Sequence, residues 1–95
     1  MVDYSKAIEI NPQLAIAYIN RGKTRSVLKD YQRATTDFDK AIEINPQYSD
    51  AYYNRANAKY NLKDYQRAIA DYNNAIEISP QYVDAYSGRG LAKTE

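Results

Sequence analysis

Thirty-four residues separate Pro12 from Pro46, and thirty-four separate Pro46 from Pro80. The segment from Pro12, PQLAIAYINRGKTRSVLKDYQRATTDFDKAIEIN, aligns without a gap on the segment from Pro46, PQYSDAYYNRANAKYNLKDYQRAIADYNNAIEIS, and 18 positions are identical. A third copy begins at Pro80 as PQYVDAYSGRGLAKTE and stops partway. The opening MVDYSKAIEIN matches the end of a copy. A fixed period of this length marks a repeat architecture: one unit cannot bury its apolar face alone, and stacking completes the core. The single domain 1–95 then divides into a second-helix half repeat 1–11, full repeats 12–45 and 46–79, and a first-helix half repeat 80–95.

Each copy reads as two helices. Ala51, Tyr52, Arg55, Ala56, Lys59 and Leu62 lie at helical spacing in the first; Tyr65, Ala68, Ile69, Tyr72, Ala75 and Ile76 do so in the second. Asp30 and Asp64 stand where a carboxylate can cap the second helix, and each Pro ends the helix before it. The pattern predicts helices near 2–10, 14–28, 31–44, 48–62, 65–78 and 82–94. Ala34, Ala41, Ala68 and Ala75 flank Phe38 and Tyr72, so helices can approach closely while a ring fills the gap. Gly22, Ala56 and Gly90 are equivalent positions and are expected to be small for the same reason.

Composition narrows the function. With 13 basic and 12 acidic residues the net charge is +1, which gives no general attraction to nucleic acid or acidic lipid. There is no Cys and no His, so thiolate or imidazole metal sites and a Ser-His-Asp triad are excluded. No Gly-rich phosphate loop or nucleophile–base pair is present, and no enzyme, metal or cofactor is expected. No apolar stretch approaches the roughly 18 residues that span a bilayer, so no membrane partner is expected. The N-terminus does not resemble a signal peptide, and the default expectation for the compartment is cytoplasmic. Eleven residues are Tyr, against one Phe and no Trp. They are either packing elements or, at particular positions, surfaces exposed to a ligand.

These residues resemble the tetratricopeptide repeat (TPR) family. The period, the small residues Gly22, Ala56 and Gly90, the aromatic residues Tyr18, Tyr52 and Tyr86, and the set Tyr65, Ala68, Tyr72, Ala75 with its closing Pro carry the resemblance. It implies an all-α fold, a right-handed superhelical stack of antiparallel helix-turn-helix repeats (an α-solenoid), whose first helices line a concave groove. It implies a protein or peptide partner. The groove would be formed by Ile16, Ile19, Asn20, Lys23 and Val27, then Asp50, Tyr53, Asn54, Asn57, Tyr60 and Asn61, then Asp84, Ser87, Leu91 and Thr94. Asn20 and Asn54 carry amides able to pair with a peptide backbone. Ile19, Asp84 and Gly88 stand where related domains clamp acidic chaperone tails with cations, and Lys23 where they use Asn, so that mode of binding is not expected. Asp50 and Asp84 also argue against a nucleic-acid groove.

The chain departs from the family in its charges. Arg21, Arg55 and Arg89 stand where Leu is usual, and Asp3, Asp37 and Asp71 recur at the same period. Ion pairs Arg21–Asp37 and Arg55–Asp71 within each hairpin are expected, since a guanidinium can bond a carboxylate with two N–H groups. The other reading is a row of cations for an acidic ligand. Asp3 and Arg89 lack such mates. The chain opens on a second helix and closes on a first, as a segment of a longer or engineered array would. Ile8 and Asp3 at one end and Tyr86 and Arg89 at the other would then join copies head to tail, giving a homo-oligomer. This self-assembling reading is the alternative to a groove that holds a peptide or partner helix.

Overall fold

The computed structural model describes residues 13–95. The helix expected over 2–10, with Asp3 and Ile8, lies outside the described residues. Five helices follow in order: α1 Gln13–Val27, α2 Tyr31–Ile44, α3 Ser49–Asn61, α4 Tyr65–Ile78 and α5 Val83–Lys93. Each packs on its neighbour in sequence. The first helices of successive repeats also touch, α1 on α3 and α3 on α5. The described part is an all-α helical repeat solenoid, with α2 and α4 on one side and α1, α3 and α5 on the other.

The turns follow from local chemistry. Within each hairpin a Lys adopts a left-handed conformation, Lys29 at φ 64° and Lys63 at φ 66°. Lys29 N–H donates to the Ser26 carbonyl and Asp30 N–H reaches back to the Arg25 carbonyl; Lys63 and Asp64 do the same with Tyr60 and Lys59. This pair of bonds is the Schellman arrangement, which satisfies carbonyls that the helix end leaves free. Asp30 and Asp64 then accept from the backbone N–H of Arg33 and Arg67, so one residue closes one helix and starts the next. Between hairpins, Tyr48 N–H bonds the Asn45 carbonyl and Tyr82 N–H bonds that of Ser79. Pro46 and Pro80 occupy the second turn position, where their fixed φ suits a β-turn.

The core is thin and built mostly of alanine. One cluster joins Ile19, Ala34, Phe38, Ala41, Ala51 and Ala58; the next joins Ala56, Ala68, Tyr72, Ala75, Ala85 and Ala92. A single aromatic ring is the largest side chain in each, so much of the apolar burial at each level rests on one residue, worth about 2–3 kcal/mol for a fully buried Phe. Gly22 is small for a steric reason: a Cβ there would stand 2.6 Å from the Phe38 ring. Gly90 does not follow it. Nothing lies within 4 Å of a Cβ at Gly90, so its smallness has no steric cause among the described residues.

Candidate functional site: the concave groove and its charge ladder

Among the described residues two carboxylates are fully inside the fold, Asp37 and Asp71. A buried charge needs partners, and each has two cations. Arg21 meets Asp37 with Nε at 3.1 Å from both oxygens and Nη2 at 2.7 Å, and Arg25 Nη1 adds a bond of 3.0 Å. Arg55 meets Asp71 with two bonds of 2.8 Å, and Lys59 Nζ stands 3.0 Å away. The second cation of each pair was missed in sequence reasoning, although Arg25 and Lys59 recur one turn beyond Arg21 and Arg55. Arg55 also reaches back to Asp39 of the preceding hairpin at 2.8 Å. Arg89 reaches back in the same way, to Asn73 at 2.9 Å. The guanidinium groups thus tie hairpins together as well as closing each one. Burial disfavours the charge on Arg55, but its bonds to Asp71 and Asp39 more than offset this, and its pKa lies above the ordinary value. The hydrogen bond and charge of Asp37 raise that of Arg21. Tyr18, Tyr52 and Tyr86 each carry the next Arg over their ring, with Cζ 5.2–5.5 Å from the centroid.

On the other side of α3 a groove of about 310 Å³ opens between α3 and α5. Tyr53, Asn57 and Tyr60 line it from α3, and Ser87 and Leu91 from α5. Asn61 and Asp84 also line it. Helical spacing explains the set: Tyr53, Asn57 and Tyr60, with Asn61 four after Asn57, share one face of α3, and Ser87 and Gly88, three and four after Asp84, share one face of α5 with Leu91. Tyr53 packs on Tyr82 with ring centroids 4.9 Å apart and on Tyr72 at 6.1 Å. Tyr60 meets Tyr65 edge-on at 5.3 Å.

Hydrogen bonds fix this aromatic wall. The Tyr72 hydroxyl donates to Asn57 Oδ1 and the Tyr82 hydroxyl to Asp50 Oδ1, each at 2.5 Å. The Tyr60 hydroxyl donates to Glu95 at 2.9 Å. These phenols keep their protons well above neutral pH. Burial, with the nearby Tyr53 and Tyr60, pushes Tyr72 up to about 12. Burial and the bond to Asp50 raise Tyr82, and the bond to Glu95 raises Tyr60.

Several residues expected at the groove lie elsewhere. Ile19 is a correction: it is only 3% exposed and packs in the core with Phe38, so no ligand reaches it. A β-branched apolar side chain at that helix position gains more from burial than Tyr53, its counterpart, whose polar end needs an outlet. Asn54 donates its amide to the Asp50 carbonyl of its own helix at 2.7 Å and is not part of the lining. Asn20 and Lys23 are exposed on α1, away from these residues. Tyr86 bonds the Pro80 carbonyl at 2.9 Å and lies under Arg89.

Two lining residues were missed, Tyr72 and Gly88. A signal existed in the repeat: Tyr72 replaces Phe38, and Gly88 replaces Asn20 and Asn54. Among the described residues no group of three or more acidic, His or Cys side chains could hold a metal, and no helix is long and apolar enough to cross a membrane.

The pattern of the tetratricopeptide repeat family matches residues 15–48 and 49–82. The chain belongs to the tetratricopeptide repeat family. Its TPR fold is shared with solved structures. The first TPR of Spaghetti (RPAP3) bound to the HSP90 peptide SRMEEVD is 25% identical, with a TM-score of 0.84 over 96% of this chain and 72% of that one. The Arabidopsis OM64 TPR domain is 31% identical, with a TM-score of 0.84 over 96% and 75%. MamA is 29% identical, with a TM-score of 0.82 over 94% of this chain and 52% of that one. None of the curated proteins compared with the chain matches it. As a TPR array, the chain is a protein-interaction scaffold.

Proposed function

We propose that this TPR array holds an extended protein segment in the groove between α3 and α5. The observation that carries this is the convergence of Tyr53, Asn57, Ser87 and Leu91, from two different repeats, on one cavity. Such a surface pairs ring area with amide and hydroxyl groups able to bond a peptide backbone. The first TPR of Spaghetti carries an HSP90 peptide, which supports a peptide as the class of ligand. The acidic tail itself does not suit this groove. Ile19 is buried, and Asp84 and Gly88 stand where a carboxylate clamp needs cations.

Binding isotherms test the reading. For a partner peptide, Asn57→Ala and Ser87→Trp should each weaken affinity at least tenfold, or about 1.4 kcal/mol. Gln66→Ala on the exposed face of α4 should leave it unchanged. Equal loss at Gln66 and none at Asn57 or Ser87 would move the site off the groove.

A second reading is association between copies. On α5, Val83 is 72% exposed, Leu91 60% and Tyr86 42%. Arg89 has no carboxylate among the described residues, whereas Arg55 bonds Asp71 from the equivalent place. The sequence around Asp3 repeats that around Asp37 and Asp71, so the segment 2–10 of a second copy carries a suitable carboxylate and the apolar Ile8. Light scattering over a concentration series should then show growth that Arg89→Ala and Ile8→Ala suppress. A constant monomer mass at high concentration would end this reading.

A further inference from the structure

We infer that the groove is built for a cationic side chain, so that the segment it holds presents a lysine or an arginine to the tyrosines of α3. This rests on the groove reading above and narrows its ligand.

Three observations carry it. First, the ring surface: Tyr53 and Tyr60 are partly exposed on one wall and Tyr72 closes the floor. An aromatic face carries negative potential and attracts a cation within about 6 Å of the ring centroid. Second, the sign of the charge: Asp84 is the one charged residue of the lining. Two more carboxylates accept from phenol hydroxyls at the rim of this aromatic wall. Glu95 accepts from Tyr60, and Asp50 accepts from Tyr82, whose ring lies on Tyr53. A phenol that donates to a carboxylate is polarised toward the ring, which strengthens its negative face. Third, the cations of α3 are committed elsewhere. Arg55 and Lys59 are both bonded to Asp71 and take no part in the lining. An acidic side chain entering this groove would meet a carboxylate and ring faces with no counter-charge, whereas a basic one would meet three complementary groups.

Selection from a random dodecapeptide library displayed on phage tests this, with the immobilised chain as bait. Each binder is re-measured on Tyr53→Ala and on Ser87→Trp. The second variant fills the groove from an exposed position, so it remains informative if loss of the Tyr53 ring perturbs folding. Binders lost on Ser87→Trp should be enriched in Arg or Lys at one position and depleted in Asp and Glu. Asp84→Asn should weaken them about threefold, as for an exposed ion pair. On Asp84→Lys, replacing the basic residue of the peptide by Glu should restore part of the binding. Groove-dependent binders with no basic preference, or with an acidic one, would overturn the cation inference while leaving the groove in place. If every binder ignores Ser87→Trp, the groove reading fails and the inference falls with it.

Discussion

The ring of Tyr72 occupies the space that a side chain on Gly88 would need: a Cβ there would lie 2.5 Å from ring carbons Cε1 and Cζ. One repeat earlier the relation is displaced. Phe38 presses on Gly22 of its own hairpin, whereas Tyr72 presses on Gly88 of the next; Ala56 and Asn54 hold the positions equivalent to Gly22 and Gly88. In both repeats the buried ring stands against a first-helix position that lacks a Cβ. In the second repeat the Tyr72 hydroxyl also reaches Asn57 and the ring takes part in the groove lining.

Gly88→Ala and Gly90→Ala should therefore have opposite signs, although both add a helix-favouring methyl. At Gly90 the site is open, and Ala should stabilise by about 1 kcal/mol. At Gly88 the ring cannot swing away cheaply, because Ala56 and the bond to Asn57 hold it. Overpacking should exceed the propensity gain, for a net loss of about 1–2 kcal/mol. Adding Ala56→Gly should restore part of the loss by opening space for the ring at the position equivalent to Gly22, against which Phe38 packs. Chemical denaturation of the three variants beside the parent chain checks this.

Asp71→Asn should cost about 2–3 kcal/mol, because Arg55 and Lys59 lose a shared, buried counter-charge. Asp37→Asn should cost less. Arg21 is 55% exposed and water can replace its partner, whereas Arg55 is 18% exposed. Urea midpoints of the two variants give the comparison.

Lys63→Gly should stabilise by about 1 kcal/mol, since Lys63 holds a left-handed conformation that Gly adopts freely. Lys63→Val should destabilise by more, its branched side chain being poorly suited to positive φ. Thermal melts with matched scan rates are sufficient.

Alkaline pH should weaken the fold through Tyr72. Its folded pKa of about 12 exceeds the ordinary value of 10.0, so the folded state holds this proton more tightly than the unfolded one. The stabilisation is complete below about pH 10 and is lost as pH rises toward 12. Tyr72→Phe should flatten that decline. It should also cost about 1 kcal/mol at neutral pH through the lost bond to Asn57. Denaturation curves at pH 8 to 11 supply the test.

Much of the fold was legible because the repeat wrote it twice. Pro46 and Pro80, Asp30 and Asp64, and the Ala–aromatic alternation set helices whose bounds the structure reproduces within a residue or so, with Tyr31–Ile44 and Tyr65–Ile78 as expected. The site was less legible, since a groove depends on where copies differ. Family position placed Ile19 beside a ligand, yet an aliphatic side chain there sinks into the core. Position also favoured Asn54, but its amide finds a backbone carbonyl one turn back. Gly88 drew notice only as a missing clamp residue. Its steric meaning required knowing which way the Tyr72 ring leans, and that is a property of two helices rather than of either sequence.

The most direct test of the groove as the binding surface is a two-dimensional ¹⁵N–¹H NMR map of the chain with a bound partner peptide. Amide shifts should concentrate at Tyr53, Asn57, Ser87 and Leu91, with Gln66, Arg67 and Asn73 unmoved. Shifts centred on α2 and α4, with the α3 and α5 amides still, would contradict it.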